Sequence, residues 1–571
     1  MEWLALWTVW GVAVAIAGVL AWLMRGITFF GANTDNEKQI RAAARAGRWV
    51  WPSDMHKYAQ GKAYLRDVGV LGVAVMQRLL KDRTSAYPLT VLCAIAHGVC
   101  AVLLFLVARV YWSLPVACLA FVLYVSSFWP YQIVLAGGYH VLAQMFLLAC
   151  VFCLQRAPAE LPGSFFWYGV SGVATGLMLF SSASGRKFIP LIFGAFLFSL
   201  RHARSFDSVL LAALGMVLGA GAVAVLLTAP NFLANIRGYL IYWNISQVAC
   251  HFLSYRDHFA RRGRPLPKDM RGAGVPWIGR FFWRIVPFHS AGGVLALGGL
   301  TYACFGIGFE GGEIFKSLGI ILLSCSPVLY GELTRAPQIG RAYFPGFIGL
   351  LLLISVATFQ LDQVLSSHGR SIFWLCISFA VGMSAIWNLR VFFNDVWPSR
   401  MAPAWLARAL GRLGVKTFYT YDTPYNNSLV KVLPPEVQQR YGIQTIQTLA
   451  EVKQGFVVVP GTSAKSVTME GEEVAIAHGD FVLDPVLNEL LRSRRIGEFA
   501  VASFKTLGSS RIWVHESEVT SYRDLILKEI SEEDRWRGRA WILDMERFHA
   551  DPLRPPATDP VAREPMVASP C

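Results

Sequence analysis

Charged side chains are scarce in this sequence of 571 residues. Asp, Glu, Lys and Arg together make up 16% of the chain, whereas a soluble globular domain carries about 25%. Hydrophobic residues make up 54%, and several apolar runs reach the roughly 20 residues that cross a bilayer as a helix. The composition excludes an ordinary soluble domain and indicates a protein built for lipid.

The sequence also lacks features that mark several other classes of protein. Eight of the ten cysteines lie within apolar runs, where cysteine packs as a small hydrophobe, so we expect neither a disulfide framework nor a metal site. The first apolar run, residues 4–24, lacks the basic start and cleavage site of a signal peptide, and we expect it to stay as an anchor. Net charge is +15, but no nucleic-acid-binding motif accompanies the basic residues. Anionic lipid or a phosphorylated lipid is the expected partner.

The apolar runs predict an α-helical polytopic membrane protein with about 11 transmembrane helices. The predicted spans are residues 4–24, 88–110, 114–136, 139–155, 165–182, 187–200, 207–229, 289–308, 315–333, 343–359 and 371–393. Residues 68–80 are too short to cross and predict an interfacial helix.

This alternation places the long, charged connections on one side of the membrane. They are residues 25–87, 183–186, 230–288 and 334–342, together with the chain from about 394. Long charged loops tend to carry function, so this side is the predicted active face. Basic residues in short loops mark the cytoplasmic side. The opposite short loops carry Arg109, Arg156, Arg201, Arg204 and Arg370, which predicts a non-cytoplasmic active face, although Arg186, Lys187, Arg335 and Arg341 count the other way.

Composition divides the chain into a membrane domain, residues 1–393, a soluble α/β domain, residues 394–550, and a Pro-rich disordered tail, residues 551–571. In the second domain, β-rich runs such as "KTFYTYD", "GFVVVPG", "EFAVASF" and "RIWVHES" alternate with helical patterns. The membrane domain contains the two longest active-face loops, which are residues 25–87 and 230–288.

An acidic pair follows the first span in "NTDNEKQIRAAARAG", residues 33–47. One interpretation is structural: Thr34 caps a helix, Glu37 completes a capping box, and the helix dipole favours both acids. The other is catalytic, because a helix N-terminus keeps Asp35 ionised and able to orient a hydroxyl nucleophile. Asp54 and His56, in the same loop, are candidates for the acceptor side, although an ordinary surface loop explains them equally well.

Basic residues precede two later spans. Arg335, Arg341 and Tyr343 lie in "TRAPQIGRAYFP", and Arg186 and Lys187 lie in "SSASGRKFIP". Basic and aromatic residues commonly anchor span ends at the interface. They are also what a lipid-linked phosphate requires, and Arg can bind phosphate through two hydrogen bonds at once.

Together these motifs resemble those of the GT-C glycosyltransferases, multispan enzymes that take sugar from a polyprenyl-phosphate carrier. The sequence is most similar to bacterial relatives of protein O-mannosyltransferases and of the lipid A aminoarabinose transferase. In that class an acidic pair opens a helix that ends near a Gly, as Asp35, Glu37 and Gly47 do here. "RAYFP" likewise echoes a basic motif before a late span. The resemblance implies a bacterial inner-membrane protein whose active face and C-terminal domain are periplasmic.

The resemblance implies transfer of a sugar to an acceptor hydroxyl, with Asp35 as base and Glu37 in support. Arg341, Arg186, Lys187 and Arg335 would bind the donor phosphate. The partners would be the polyprenyl-phosphate donor, membrane lipids and an acceptor glycan, lipid or protein. No cofactor is required by this chemistry, although Glu37 offers a ligand for a divalent cation. A transporter or flippase for lipid-linked saccharides and a non-catalytic membrane scaffold are the alternatives.

Overall fold

The computed structural model describes residues 2–25, 67–83, 85–127, 131, 134, 140–157, 163–181, 188–200, 203, 205–234, 344–393, 397–421, 440–446, 448–459, 466–469, 472–475, 490, 495–505 and 539–550. The chain divides into two compact units. The first is helical, and the second, which includes everything from Arg390 onward, contains a mixed sheet.

The first unit is built from apolar helices. They are α1 (Glu2–Leu23), α2 (Asp67–Leu79), α3 (Tyr87–Tyr111), α4 (Leu114–Ser126), α5 (His140–Arg156), α6 (Ser164–Ser181), α7 (Ile189–Ser199), α8 (Phe206–Ala234), α9 (Phe344–Val364) and α10 (Ser367–Val391). Five of them, α1, α3, α6, α8 and α10, contain stretches long and apolar enough to cross a bilayer. The spans predicted at 289–308 and 315–333 lie outside the described residues.

Helix α4 ends at Ser126, whereas the predicted span was expected to reach residue 136, ten residues further. Ser127 leaves the helix with an extended backbone, φ −85° and ψ 135°. Its hydroxyl donates back to the carbonyl of Leu123, and the Asn388 side chain of α10 donates to the carbonyl of Ser126 at 2.6 Å. These bonds satisfy carbonyls that a helix end leaves without an intrahelical partner, so the early end is stable inside an apolar unit.

Helices α6 and α8 touch backbone to backbone through glycines. A Cβ built on Gly172 would lie 2.2 Å from the carbonyl oxygen of Met216, and one on Gly219 would lie 2.1 Å from that of Gly169. Farther along both helices, Gly176 meets Val223. The contacts advance in the same direction, so the two helices run parallel, and the chain between them, including α7, must return to the opposite end.

Helix α2 covers the predicted interfacial segment and packs against α6 and α8. Val70 and Val73 are buried, whereas Val75 and Leu79 are exposed. This division of faces is typical of an amphipathic helix docked on a protein surface. Its position at the membrane interface stays a prediction.

The second unit begins with α11 (Trp397–Arg412), which packs against the sheet strand β6. Its other elements are β1 (Thr417–Tyr421), β2 (Gly442–Ile446), β3 (Phe456–Val459), β4 (Ser466–Met469), β5 (Glu472–Ala475), α12 (Ile496–Phe499), β6 (Ala500–Lys505), β7 (Arg539–Asp544) and α13 (Met545–Ala550). The five-stranded sheet has the order β2-β1-β3-β7-β6, and β4 and β5 form a separate hairpin.

Strand β1 runs parallel to β2 and β3, while β7 runs antiparallel to β3 and β6. Val457, Val459, Trp541 and Leu543 supply one buried face of the sheet, and Phe548 packs against it from α13. Parallel neighbours require crossover connections, so this part of the chain folds as mixed α and β structure.

Candidate functional site

None of the residues predicted to carry chemistry is among the residues that the structure describes. They are Asp35, Glu37, Asp54, His56, Arg186, Lys187, Arg335, Arg341 and Tyr343. The structure does describe the helices that lead into and out of their segments. The arrangement of those helix ends decides whether the acidic and basic segments leave the helical unit on one side.

One apolar cluster joins three such helices. Val68 at the start of α2, Phe180 at the end of α6 and Val223 in the second half of α8 are buried against one another. In the sequence, the acidic segment precedes α2, the segment with Arg186 and Lys187 follows α6, and the basic loop predicted at 230–288 continues from α8. The start of α2 and the end of α6 are therefore adjacent, and both lie beside α8.

Helix α5 joins the same cluster near its start. Phe146, two turns into α5, packs against the Val68 cluster. Cys100 of α3 donates to the carbonyl of Val141 at 3.6 Å, and His97, one turn earlier, contacts Tyr124 near the end of α4 through a 2.9 Å hydrogen bond. The end of α4 and the start of α5 thus lie at one level.

Helices α9 and α10 are linked to each other and to α4 by two side-chain hydrogen bonds. Trp374 of α10 donates to the Asp362 carboxylate of α9 at 2.9 Å. The hydrogen bond from Asn388 to Ser126 ties the end of α10 to the end of α4. The segment that holds Arg335, Arg341 and Tyr343 precedes α9 in the sequence, and its place on the active face stays a prediction.

Charge is kept out of the described interior. The buried polar residues are Gln77, Thr90, His97, Ser127, Gln144, Ser171, Ser181, Ser199, Ser355, Thr358, Asn388, Thr420 and Ser503. Asp, Glu, Lys and Arg are absent from this described set. Ionisable residues inside spans mark transport pathways, so the described helices offer no charged path through the unit.

A buried polar cluster around His97 was not identified from the sequence. Its imidazole lies 5.0 Å from the ring of Tyr124 and 4.9 Å from that of Tyr131, centroid to centroid. Tyr131 also donates to the carbonyl of Val125. The available signal was a histidine in the middle of the apolar run 88–110, because an ionisable residue at that depth indicates a functional or structural partner.

The described ranges contain no candidate metal-binding site. No group of three or more His, Cys, Asp or Glu residues is placed there to hold an ion. None of the described cysteines forms a disulfide. The candidate cation ligand Glu37 lies outside those ranges.

No protein-family model and no curated protein matches the sequence. Solved structures with a similar arrangement include ArnT from Cupriavidus metallidurans bound to undecaprenyl phosphate, with a TM-score of 0.43 and 11% identity over 71% of this chain and 72% of that one. The apo state of ArnT gives a TM-score of 0.42 and 11% identity over 78% and 92%.

The archaeal oligosaccharyltransferase AglB from Archaeoglobus fulgidus, in complex with an inhibitory peptide and a dolichol-phosphate, is also similar. Its TM-score is 0.43, with 12% identity over 76% of this chain, and the match spans 61% of the AglB chain. The chain is similar to these membrane proteins in the arrangement of its helices. The sequence identity and TM-scores are too low to indicate a shared reaction.

Proposed function

We propose that this protein is an integral-membrane glycosyltransferase that moves a sugar from a polyprenyl-phosphate donor to an acceptor hydroxyl at the non-cytoplasmic face. The observation that carries the proposal is the shared cluster of Val68, Phe180 and Val223. It holds the start of α2, the end of α6 and the second half of α8 together, and in the sequence these helices adjoin the segments with the acidic pair and with two sets of basic residues. The motifs in those segments are the ones that resemble GT-C enzymes.

The chemistry requires one base and one phosphate site. Asp35 accepts the proton of the acceptor hydroxyl as its oxygen forms a bond to the anomeric carbon. The bond from that carbon to the phosphate oxygen breaks, and the polyprenyl phosphate leaves with the electron pair. Arg341, Arg186 and Lys187 stabilise the negative charge that grows on the leaving phosphate, and such preorganised stabilisation is usually the largest catalytic contribution.

The remaining candidates have supporting roles in this proposal. Glu37 completes the helix cap beside Asp35 or binds a divalent cation. Arg335 extends the positive charge around the phosphate, and Tyr343, Asp54 and His56 border the acceptor. Anionic membrane lipids would contact the same basic loops.

A flippase is the competing function, and the described interior favours the transferase. A flippase carries a charged phosphate through the membrane and needs polar or ionisable residues along that path. The described helices bury no acidic or basic side chain. A reaction at one membrane face uses the charged segments outside the spans and needs no charged path through the helices.

Replacing Asp35 with Asn tests the proposed base. The change keeps the size of the side chain and removes its ability to accept a proton, so we expect transfer of labelled sugar from the lipid donor to fall at least about 100-fold. Expression and membrane insertion should stay at the wild-type level. Glu37→Gln is the matched control, because it removes the neighbouring carboxylate and should lower transfer less than about tenfold.

Measurement of donor binding distinguishes the role of the proposed base from that of the proposed phosphate site. Asp35→Asn should bind the polyprenyl-phosphate donor as the wild type does, whereas Arg341→Ala should bind it more weakly. Undiminished transfer by Asp35→Asn would remove Asp35 as the base. Equal loss in Asp35→Asn and Glu37→Gln would mean that the two acids act as one unit, against the roles assigned here.

A further inference from the structure

Three residues between α4 and α5 are described: Ser127, Tyr131 and Val134. Tyr131 and Val134 have helical backbone. Ser127 and Val134 are fully buried, and Tyr131 is held at both ends of its side chain, by the His97 ring and by the carbonyl of Val125. These three residues, which we name the internal connection, do not form a surface loop.

The internal connection is held deep along α3. His97 lies ten residues after the first residue of α3, or about 15 Å along the helix axis at 1.5 Å per residue. Backbone that leaves a helix at such depth is tolerated only where protein groups satisfy it. Here the satisfying groups are the Ser127 hydroxyl, the Asn388 amide and the Tyr131 hydroxyl.

His97 is the residue that joins these parts. Its Nδ1 forms the 2.9 Å hydrogen bond with the Tyr124 hydroxyl. The imidazole and the Tyr131 ring meet edge to face, with centroids 4.9 Å apart. Within the described part of the chain, the His97 Nε2 atom has no hydrogen-bond partner, so the contact made by Nδ1 is the one that matters.

We propose that His97 is a positioning residue that fixes the internal connection through Tyr124 and Tyr131. The connection continues from the end of α4, which the contact of Tyr124 with His97 holds at the middle of α3. In the proposed transferase, its placement sets how the donor and acceptor are aligned, and this second part rests on the proposed function.

Hydrogen exchange of the purified full-length protein tests the first part. With His97→Ala or Tyr124→Phe, the amides of Ser127, Tyr131 and Val134 should exchange about fivefold faster or more, because the net contribution of one hydrogen bond is lost. His97→Asn should exchange like the wild type, since its amide group replaces Nδ1. His97→Gln, whose amide reaches the position of Nε2, should behave like His97→Ala. The exposed His368 on α10 supplies the control His368→Ala.

Amides in α6 and α8 report whether the variants remain folded, and they should not change. Unchanged exchange at Ser127, Tyr131 and Val134 in both His97→Ala and Tyr124→Phe would overturn the proposal. Rescue by Gln in place of Asn would also overturn it, because Nε2 would then be the working atom.

Kinetics of transfer test the second part. His97→Ala should lower kcat about tenfold while the donor KM stays within about twofold, and His97→Asn should restore kcat. Faster exchange with unchanged kcat would overturn the link to the reaction. If the wild type itself transfers no sugar, the proposed function fails, whereas the exchange result still decides the role of His97.

Discussion

Gly219 shows how one residue limits the packing of two helices. A Cβ at this position would lie 2.1 Å from the carbonyl oxygen of Gly169, and the backbone amide of Val173 is only 2.8 Å away. Both neighbours are backbone atoms in helix α6, so they cannot move aside as a flexible side chain would. The helices must separate if any side chain is added.

We predict that Gly219→Ala destabilises the folded protein by about 1–3 kcal/mol, the usual cost of overpacking. Thermal unfolding in detergent should show a lowered midpoint. Gly221 lies on the same helix with no heavy atom within 4 Å of the built Cβ, so Gly221→Ala is the matched control and should leave the midpoint unchanged. Equal midpoints for the two variants would contradict the close contact of α6 and α8.

Individual site residues were predicted from the sequence only where a local motif marked them. Asp35, Glu37 and the basic residues stand out because they interrupt apolar runs, but their placement lies outside the described residues and stays a prediction. His97 stands out less clearly. Its partner Tyr124 is 27 residues away, and the periodicity of two nearly uniform apolar runs does not tell which faces meet.

At the scale of elements, α2 is the described helix that follows the acidic segment in the sequence. Val73 is fully buried in the contact of α2 with its neighbours, whereas Val75, two residues on, is 43% exposed. The docked face of α2 therefore fixes where the chain enters this helix at Asp67.

Replacing Val73 with Asn should weaken this docking. The change buries an amide in an apolar contact, which costs about 1–3 kcal/mol when no partner satisfies it. Limited proteolysis near residue 67 should become faster, and sugar transfer should fall. Val75→Asn puts the same amide on the exposed face and should change neither. Faster cleavage in Val75→Asn alone would show that the faces of α2 are assigned incorrectly.

Most described spans follow from length and hydropathy, because a bilayer demands about 20 apolar residues regardless of packing. The end of α4 at Ser126 could not be predicted in this way, since a hydrogen bond from Asn388, 262 residues away, helps to stabilise it. Strands β1, β3 and β6 fall within β-rich runs of the sequence. Strands β2 and β7 were not singled out, because β2 is polar and the register of a mixed sheet depends on distant pairing.

At the scale of the whole molecule, the sidedness of the charged segments is the property on which function depends. Contacts from Val68 to Phe180, from His97 to Tyr124 and from Asn388 to Ser126 hold parts of the described helices together. Alternation of spans along the sequence predicts that the charged segments share one side, and this grouping stays a prediction. Which side faces the cytoplasm depends on the basic residues of the short loops and stays a prediction.

Breakage of the bond between sugar and lipid phosphate is the most direct measurement of the proposed function. A polyprenyl-phosphate donor, labelled in its sugar, is supplied to the non-cytoplasmic face of sealed membrane vesicles that contain the wild-type protein and endogenous acceptors. We predict that the label leaves the lipid fraction, that unglycosylated polyprenyl phosphate accumulates in equal amount, and that vesicles without the protein show neither. Label that crosses the membrane while still attached to its lipid would contradict transfer and establish a flippase.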